Sequence, residues 1–191
     1  MLSAVRQNAD VSRPDMAAAR LSYEESFRRI QPLVLDKGAI PSIPPRMPRC
    51  DDETPRVSIF RMLLGAEVDL SNLTLPRTFF GRSELNGTVL RNTDLTESNL
   101  CWNDFNNVDF SRAVLAGADL RASNFDRVNF TAANLERADM RGSWFSNCQF
   151  DDAVLKGAVL THAQGKKLSL SEAQRASISW TNDDGPEPDG G

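Results

Sequence analysis

The sequence holds one histidine, His162, and three cysteines, Cys50, Cys101 and Cys148. These are the residue types that ligate transition metals or act as nucleophile and base. Their spacing supports neither role. There is no Cys-x-x-Cys pair, and no Cys or second His accompanies His162 in a ligand spacing. A Ser or Cys nucleophile would have to use His162 as its base, without an evident orienting partner. Gly165-Lys166-Lys167 lacks the upstream glycine of a phosphate-cradling loop and reads as a solvated turn. Asp and Glu are abundant, 26 of them, but they recur because a periodic pattern places polar residues outward. The sequence therefore predicts no enzyme, no metal and no cofactor. What remains is the chemistry of contact, carried by aromatic and charged side chains that break a repeat.

The elements that must position those side chains follow from that repeat. From Leu70 to Leu160, nineteen successive steps of five land on Leu or Phe, except for Met140. The residue two before each centre is usually small or β-branched, as in Ala113, Ala118 and Ala133. Asp or Asn stands just before the centre at ten of the nineteen steps. The unit reads as Ala118-Asp119-Leu120-Arg121-Ala122. A period of five fits neither the 3.6 of a helix nor the 2 of a plain strand. Apolar positions two apart make a short strand with one face inward, and the last two residues must turn the chain. Four such turns close a square coil of twenty residues. Each unit is unstable alone and stable when stacked.

On these residues the chain resembles the pentapeptide-repeat family over residues 68–163. The resemblance implies an all-β fold, a right-handed quadrilateral β-helix of nearly five coils, roughly 24 Å tall at the usual strand spacing. Steps of twenty sort the centres into four columns. One contains Phe110, Phe130 and Phe150, and another Phe105, Phe125 and Phe145, so rings can stack between coils. Asn103 falls inward and needs a hydrogen-bond partner.

A solenoid also needs covered ends. Residues 1–56 read as an N-terminal helix, from about Pro14 to Ile30, and a proline-rich linker over Pro41 to Pro55. Residues 57–67 read as the N-terminal cap. At the other end the repeat fails at Gly165. Residues 164–180 read as a cap with a short helix started by Ser171 and covered by Leu168, Leu170, Ile178 and Trp180. Residues 181–191 read as a disordered acidic tail.

Net charge is −4, and no segment is basic enough to draw a nucleic-acid backbone. No apolar run is long enough to cross a bilayer, and no leader pattern opens the chain. The expected location is the cytoplasm, with reduced thiols. Protein partners are expected, without direct nucleic-acid or membrane contact.

The candidate contact residues are Phe79, Arg82, Trp102, Asp119, Arg121, Asp139, Arg141 and Trp144. Phe79 and Trp144 replace the usual Asp or Asn and are expected to point outward. Trp102 occupies a turn, with Arg82 before it in its column. Phe79 and Trp102 share a face, and Trp144 lies on another. The rings either anchor a partner or pack beneath the N-terminal segment.

The blocks 75–84 and 100–105 are similar to short solenoids that act as immunity proteins against secreted bacterial toxins, for example nucleases. Other members of the family mimic duplex DNA and protect gyrase, a role that requires a strongly negative rod. A scaffold or adaptor is the third reading.

Overall fold

The computed structural model describes residues 19–48 and 57–182. The repeat builds a parallel solenoid. Each backbone position pairs with the one twenty residues on: Asp69 bridges Val89, Val89 bridges Asp109, and Asp109 bridges Asn129. The Leu70 N–H donates to the Val89 carbonyl at 2.8 Å, and the Asp94 N–H to the Leu73 carbonyl at 2.8 Å. The pairing divides each coil into four flanks, as the period requires. All nineteen centres face inward, and only Phe145, near the C-terminal end, is partly exposed.

The fourth flank carries the widest sheet, five strands against two in each of the other sheets. β1 (Ser58–Phe60) and β2 (Leu63–Leu64) precede the repeat; β3 (Phe79–Gly81), β4 (Glu84–Asn86), β5 (Asp104–Asn106), β6 (Asn124–Asp126), β7 (Trp144–Ser146) and β8 (Val159–Thr161) lie within it. β2, β4, β5, β6 and β7 form one parallel sheet that aligns Leu85, Phe105, Phe125 and Phe145. Phe125 stacks between Phe105 and Phe145, with centroids 4.9 Å apart on each side and ring planes within 6°. Phe130 stacks on Phe110 at 5.6 Å and on Phe150 at 5.0 Å.

Two local devices fix the corners. The last residue of the unit has positive φ at eighteen consecutive corners, from Asn72 to Gly157, yet only Gly87, Gly117, Gly142 and Gly157 are glycine. None of the others is β-branched, which suits a left-handed conformation that crowds a branched Cβ. The Asp or Asn before the centre closes an Asx turn. The Asp69 carboxylate accepts from the Ser71 N–H at 2.8 Å, and the Asp109 carboxylate from the Ser111 N–H at 2.9 Å. Eight of the ten Asp and Asn residues at this position make that bond, and Asp104 and Asn124 do not. Within the core, Asn103 donates to the Phe80 carbonyl at 2.8 Å and accepts from the Ser83 N–H at 2.8 Å. Ser123 and Ser143 continue that ladder.

The strict five-step hides two centres. Ile59 pairs with Phe80 and Leu64 with Leu85, each 21 residues on, because one extra residue separates Leu64 from Leu70. At the other end β9 (Ser179–Thr181) pairs with β8 and aligns Trp180 with Leu160. With these strands the solenoid runs to about six turns.

The N-terminal helix is shorter than the sequence predicts. α1 spans Tyr23–Ile30, because Ser22 and Glu25 form a capping box that starts it there. Residues 19–22 are not helical, and Pro14 to Ala18 lie outside the described residues. Phe27, Ile30 and Val34 are buried in the same core as the repeat. The Ser26 hydroxyl accepts from the Thr74 N–H at 2.8 Å, and the Leu21 N–H donates to the Asn72 carbonyl at 2.8 Å. This segment thus satisfies backbone groups of the first coil. Linker residues 41–48 have no regular structure, and 49–55 lie outside the described residues.

The C-terminal cap contains α2 (His162–Gly165) and α3 (Glu172–Ser177), each opened by a capping box, Thr161 with Gln164 and Ser171 with Gln174. Gly165 ends the fourth column for a steric reason: a Cβ there would lie 2.3 Å from the Trp180 ring. Thr181 closes β9, so the first residue of the expected tail belongs to a strand instead; residues 183–191 lie outside the described residues.

Candidate functional site

The first candidate, Phe79, is buried, at 6% exposure. This corrects the expectation of an outward, available ring. Its backbone position does face away from the core, but its ring folds over Gly81, where a Cβ would come within 2.4 Å, and stacks on Phe60 at 6.1 Å. Packing against Phe60 of the N-terminal cap accounts for Phe79.

The rest of the same flank is also partly occupied. The Asn99 amide donates to the Pro48 carbonyl at 3.5 Å, and Arg77 donates to the Pro44 carbonyl at 2.9 Å. Asp119 is buried, at 8% exposure, and holds Arg121 in a two-pronged pair, with Nε at 2.9 Å and Nη2 at 2.8 Å. That pairing raises the pKa of the Arg121 guanidinium above its ordinary value. Asp139 holds Arg141 in the same way, at 2.9 and 2.6 Å. These four residues stand together on one flank, and their charges are spent on one another. Arg82 is exposed and has no partner among the described residues.

Trp102 and Trp144 remain exposed, at 36% and 68%. The sequence places them on different faces, and the structure brings them to one corner. The turn column reads Arg82, Trp102, Ala122, Gly142; the adjoining strand column reads Glu84, Asp104, Asn124, Trp144. Ala122 and Gly142 are small, so a groove opens between the indoles, lined also by Asp104 and Asn124. Lys167 approaches Trp144, its ammonium 4.7 Å from the ring centroid. Sequence reading missed Asp104 and Asn124, whose signal was their place on the three-residue strands of the fourth flank.

The corner offers apolar contact surface and hydrogen-bonding groups. Its walls are indoles and its floor is small and rigid. Asp104 is the one charged residue lining it. No three His, Cys, Asp or Glu side chains among the described residues converge in a way that could hold a metal. His162 is exposed and stacks on Trp180 at 5.5 Å.

Comparison with known proteins places this geometry in context. The family model described as pentapeptide repeats matches residues 66–100 and 104–142, in eight copies. No curated protein matches the chain by sequence. Among solved structures, HetL of Nostoc sp. strain PCC 7120, a pentapeptide repeat protein involved in heterocyst differentiation regulation, is similar with a TM-score of 0.52 and 26% identity, over 55% of this chain. The chain spans about half of HetL, 49%. Rfr23 of Cyanothece 51142 has a TM-score of 0.49 and 24% identity, over 52% of this chain and 80% of Rfr23. A pentapeptide repeat protein of the Arabidopsis thaliana thylakoid lumen has a TM-score of 0.42 and 28% identity, over 60% of this chain and 72% of that one.

Proposed function

The solenoid is a run of pentapeptide repeats, and from that premise we propose that the protein is a non-catalytic binding module. Its role is that of an immunity protein that holds and neutralises a cognate secreted toxin, such as a nuclease, in the cytoplasm. One observation carries the reading: Trp102 and Trp144 stand exposed on either side of a small-residue floor. Tryptophan is the side chain most enriched at interface hot spots. The backbone beneath is pinned by the inter-coil ladder, with the Asp104 N–H donating to the Ser83 carbonyl at 3.0 Å and the Trp144 N–H to the Ser123 carbonyl at 3.0 Å. A partner meets a preorganised surface and loses little entropy in ordering it.

The gyrase-protecting reading draws no support from the charge pattern. A DNA mimic needs lines of uncompensated carboxylates. Here Asp109, Asp119, Asp126 and Asp139 each pair with an arginine. A scaffold with a separate N-terminal working part is disfavoured as well, because Phe27, Ile30 and Val34 belong to the solenoid core.

The test is capture of partners by the tagged protein in its native host, followed by co-expression of whatever co-purifies. A stoichiometric toxin-domain protein whose toxicity is relieved by this chain is the expected result. Stoichiometric gyrase subunits would overturn the immunity reading.

A further inference from the structure

The groove between Trp102 and Trp144 carries a more specific reading, which rests on the binding role proposed above. Of the ten Asp and Asn residues that precede a repeat centre, eight close an Asx turn, whereas Asp104 and Asn124 leave their side chains without a partner among the described residues. Both line this groove. Neither the Trp102 nor the Trp144 indole N–H has an acceptor among the described residues, whereas the Trp180 indole donates to the Arg175 carbonyl at 2.9 Å.

Asp104 is the one charged side chain lining the groove, with Arg82 one coil before Trp102 and Lys167 beside Trp144 at its two ends. Arg121 and Arg141, which adjoin the floor residues Ala122 and Gly142, are neutralised by Asp119 and Asp139. Lys167 is engaged on the Trp144 ring. No ion pair among the described residues neutralises Asp104. We propose that the Trp102–Asp104–Trp144 groove is a receptor for an arginine side chain on a loop of the protein partner. Arginine fits each element. Its planar guanidinium stacks on an indole face and presents a fork of N–H donors to a carboxylate. Its methylenes need an apolar floor, which Ala122 and Gly142 supply. The strand column sets Asp104 two coils from Trp144, roughly 10 Å at the usual strand spacing, a span that an extended arginine side chain can bridge in part.

The test is an NMR titration of the full chain, following the three indole N–H signals. The probes are the blocked tripeptides Gly-Arg-Gly, Gly-citrulline-Gly and Gly-Leu-Gly. The arginine probe is expected to move the Trp102 and Trp144 signals saturably and to leave that of Trp180 in place. Citrulline in the probe, or Asp104→Asn in the protein, is expected to weaken the effect at least tenfold. Equal shifts with citrulline, stronger shifts with leucine, or no shift with arginine would overturn the proposal. Its failure can be told apart from failure of the binding role. A partner lost with Trp102→Ala but retained with Asp104→Asn supports the role and removes the arginine. Arginine binding in a protein whose partner ignores Trp102 does the reverse.

Discussion

Gln174 spans the C-terminal end of the solenoid and donates to the Phe150 carbonyl at 2.7 Å. The same amide donates to the Ala153 carbonyl at 3.0 Å, while its oxygen accepts from the Ser171 N–H at 2.9 Å. Gln164 repeats the arrangement with the Met140 and Ser143 carbonyls, each at 2.8 Å, and the Thr161 N–H at 2.8 Å. Two capping boxes thus start short helices and close an open rod at once. Gln174→Glu keeps the acceptor and removes the donors. Its expected cost is ~1–3 kcal/mol, because the Ala153 carbonyl loses its donor and a carboxylate is set against the Phe150 carbonyl, read as a lowered urea midpoint. Stability unchanged by Gln174→Glu would show that the end needs no such closure.

Phe125 tests the column. It is fully buried, with a ring 4.9 Å from both Phe105 and Phe145. Phe125→Ala is expected to cost ~3–5 kcal/mol through the cavity left behind. Phe145→Ala, at the partly exposed end of the same stack, is expected to cost less. Equilibrium denaturation of the two variants checks the order.

Trp102 sits at φ 60, a conformation in which a non-glycine residue is strained. Trp102→Gly therefore gains roughly 1 kcal/mol of backbone relief against the partial burial it loses. Its melting temperature is expected to stay level or rise. Trp102→Val places a branched Cβ at the same φ and is expected to lower it. Calorimetry on both separates the backbone role of this corner from its contact role.

Acid is expected to loosen the protein in a defined window. Hydrogen bonds from the Ser71 side chain and backbone hold the Asp69 carboxyl below the usual range. Bonds from the Ser22 hydroxyl and N–H do the same for Glu25. A carboxyl lowered in the folded state contributes stability above its unfolded pKa, and that contribution is lost as pH falls through the folded one. Urea midpoints should hold from neutral pH down to about pH 4 and decline below it. Ser71→Ala should reduce the decline.

The repeat made the solenoid legible because one apolar centre every five residues admits few other folds. Four columns, the phenylalanine stacks and the inward Asn103 followed from it. The ends were less legible. Ile59 and Leu64 escaped because a single extra residue breaks the five-step before Leu70, while the chain still pairs across the break. The start of α1 was readable in Ser22 and Glu25, a capping box overshadowed by the proline at position 14. The site was only partly legible. Burial of Phe79 depends on Phe60 and Gly81, which the columns do not connect. The meeting of Trp102 and Trp144 depends on a corner shared by two flanks, with small residues between them.

The central claim is that this corner holds the partner. Its most direct measurement is quantitative capture by the tagged protein from the native host, comparing wild type with Trp102→Ala and Trp144→Ala. Each substitution is expected to remove the stoichiometric partner by tenfold or more, equivalent to ~1.4 kcal/mol or more, with the melting temperature of the chain preserved. A partner retained in full by both stably folded variants would contradict the account.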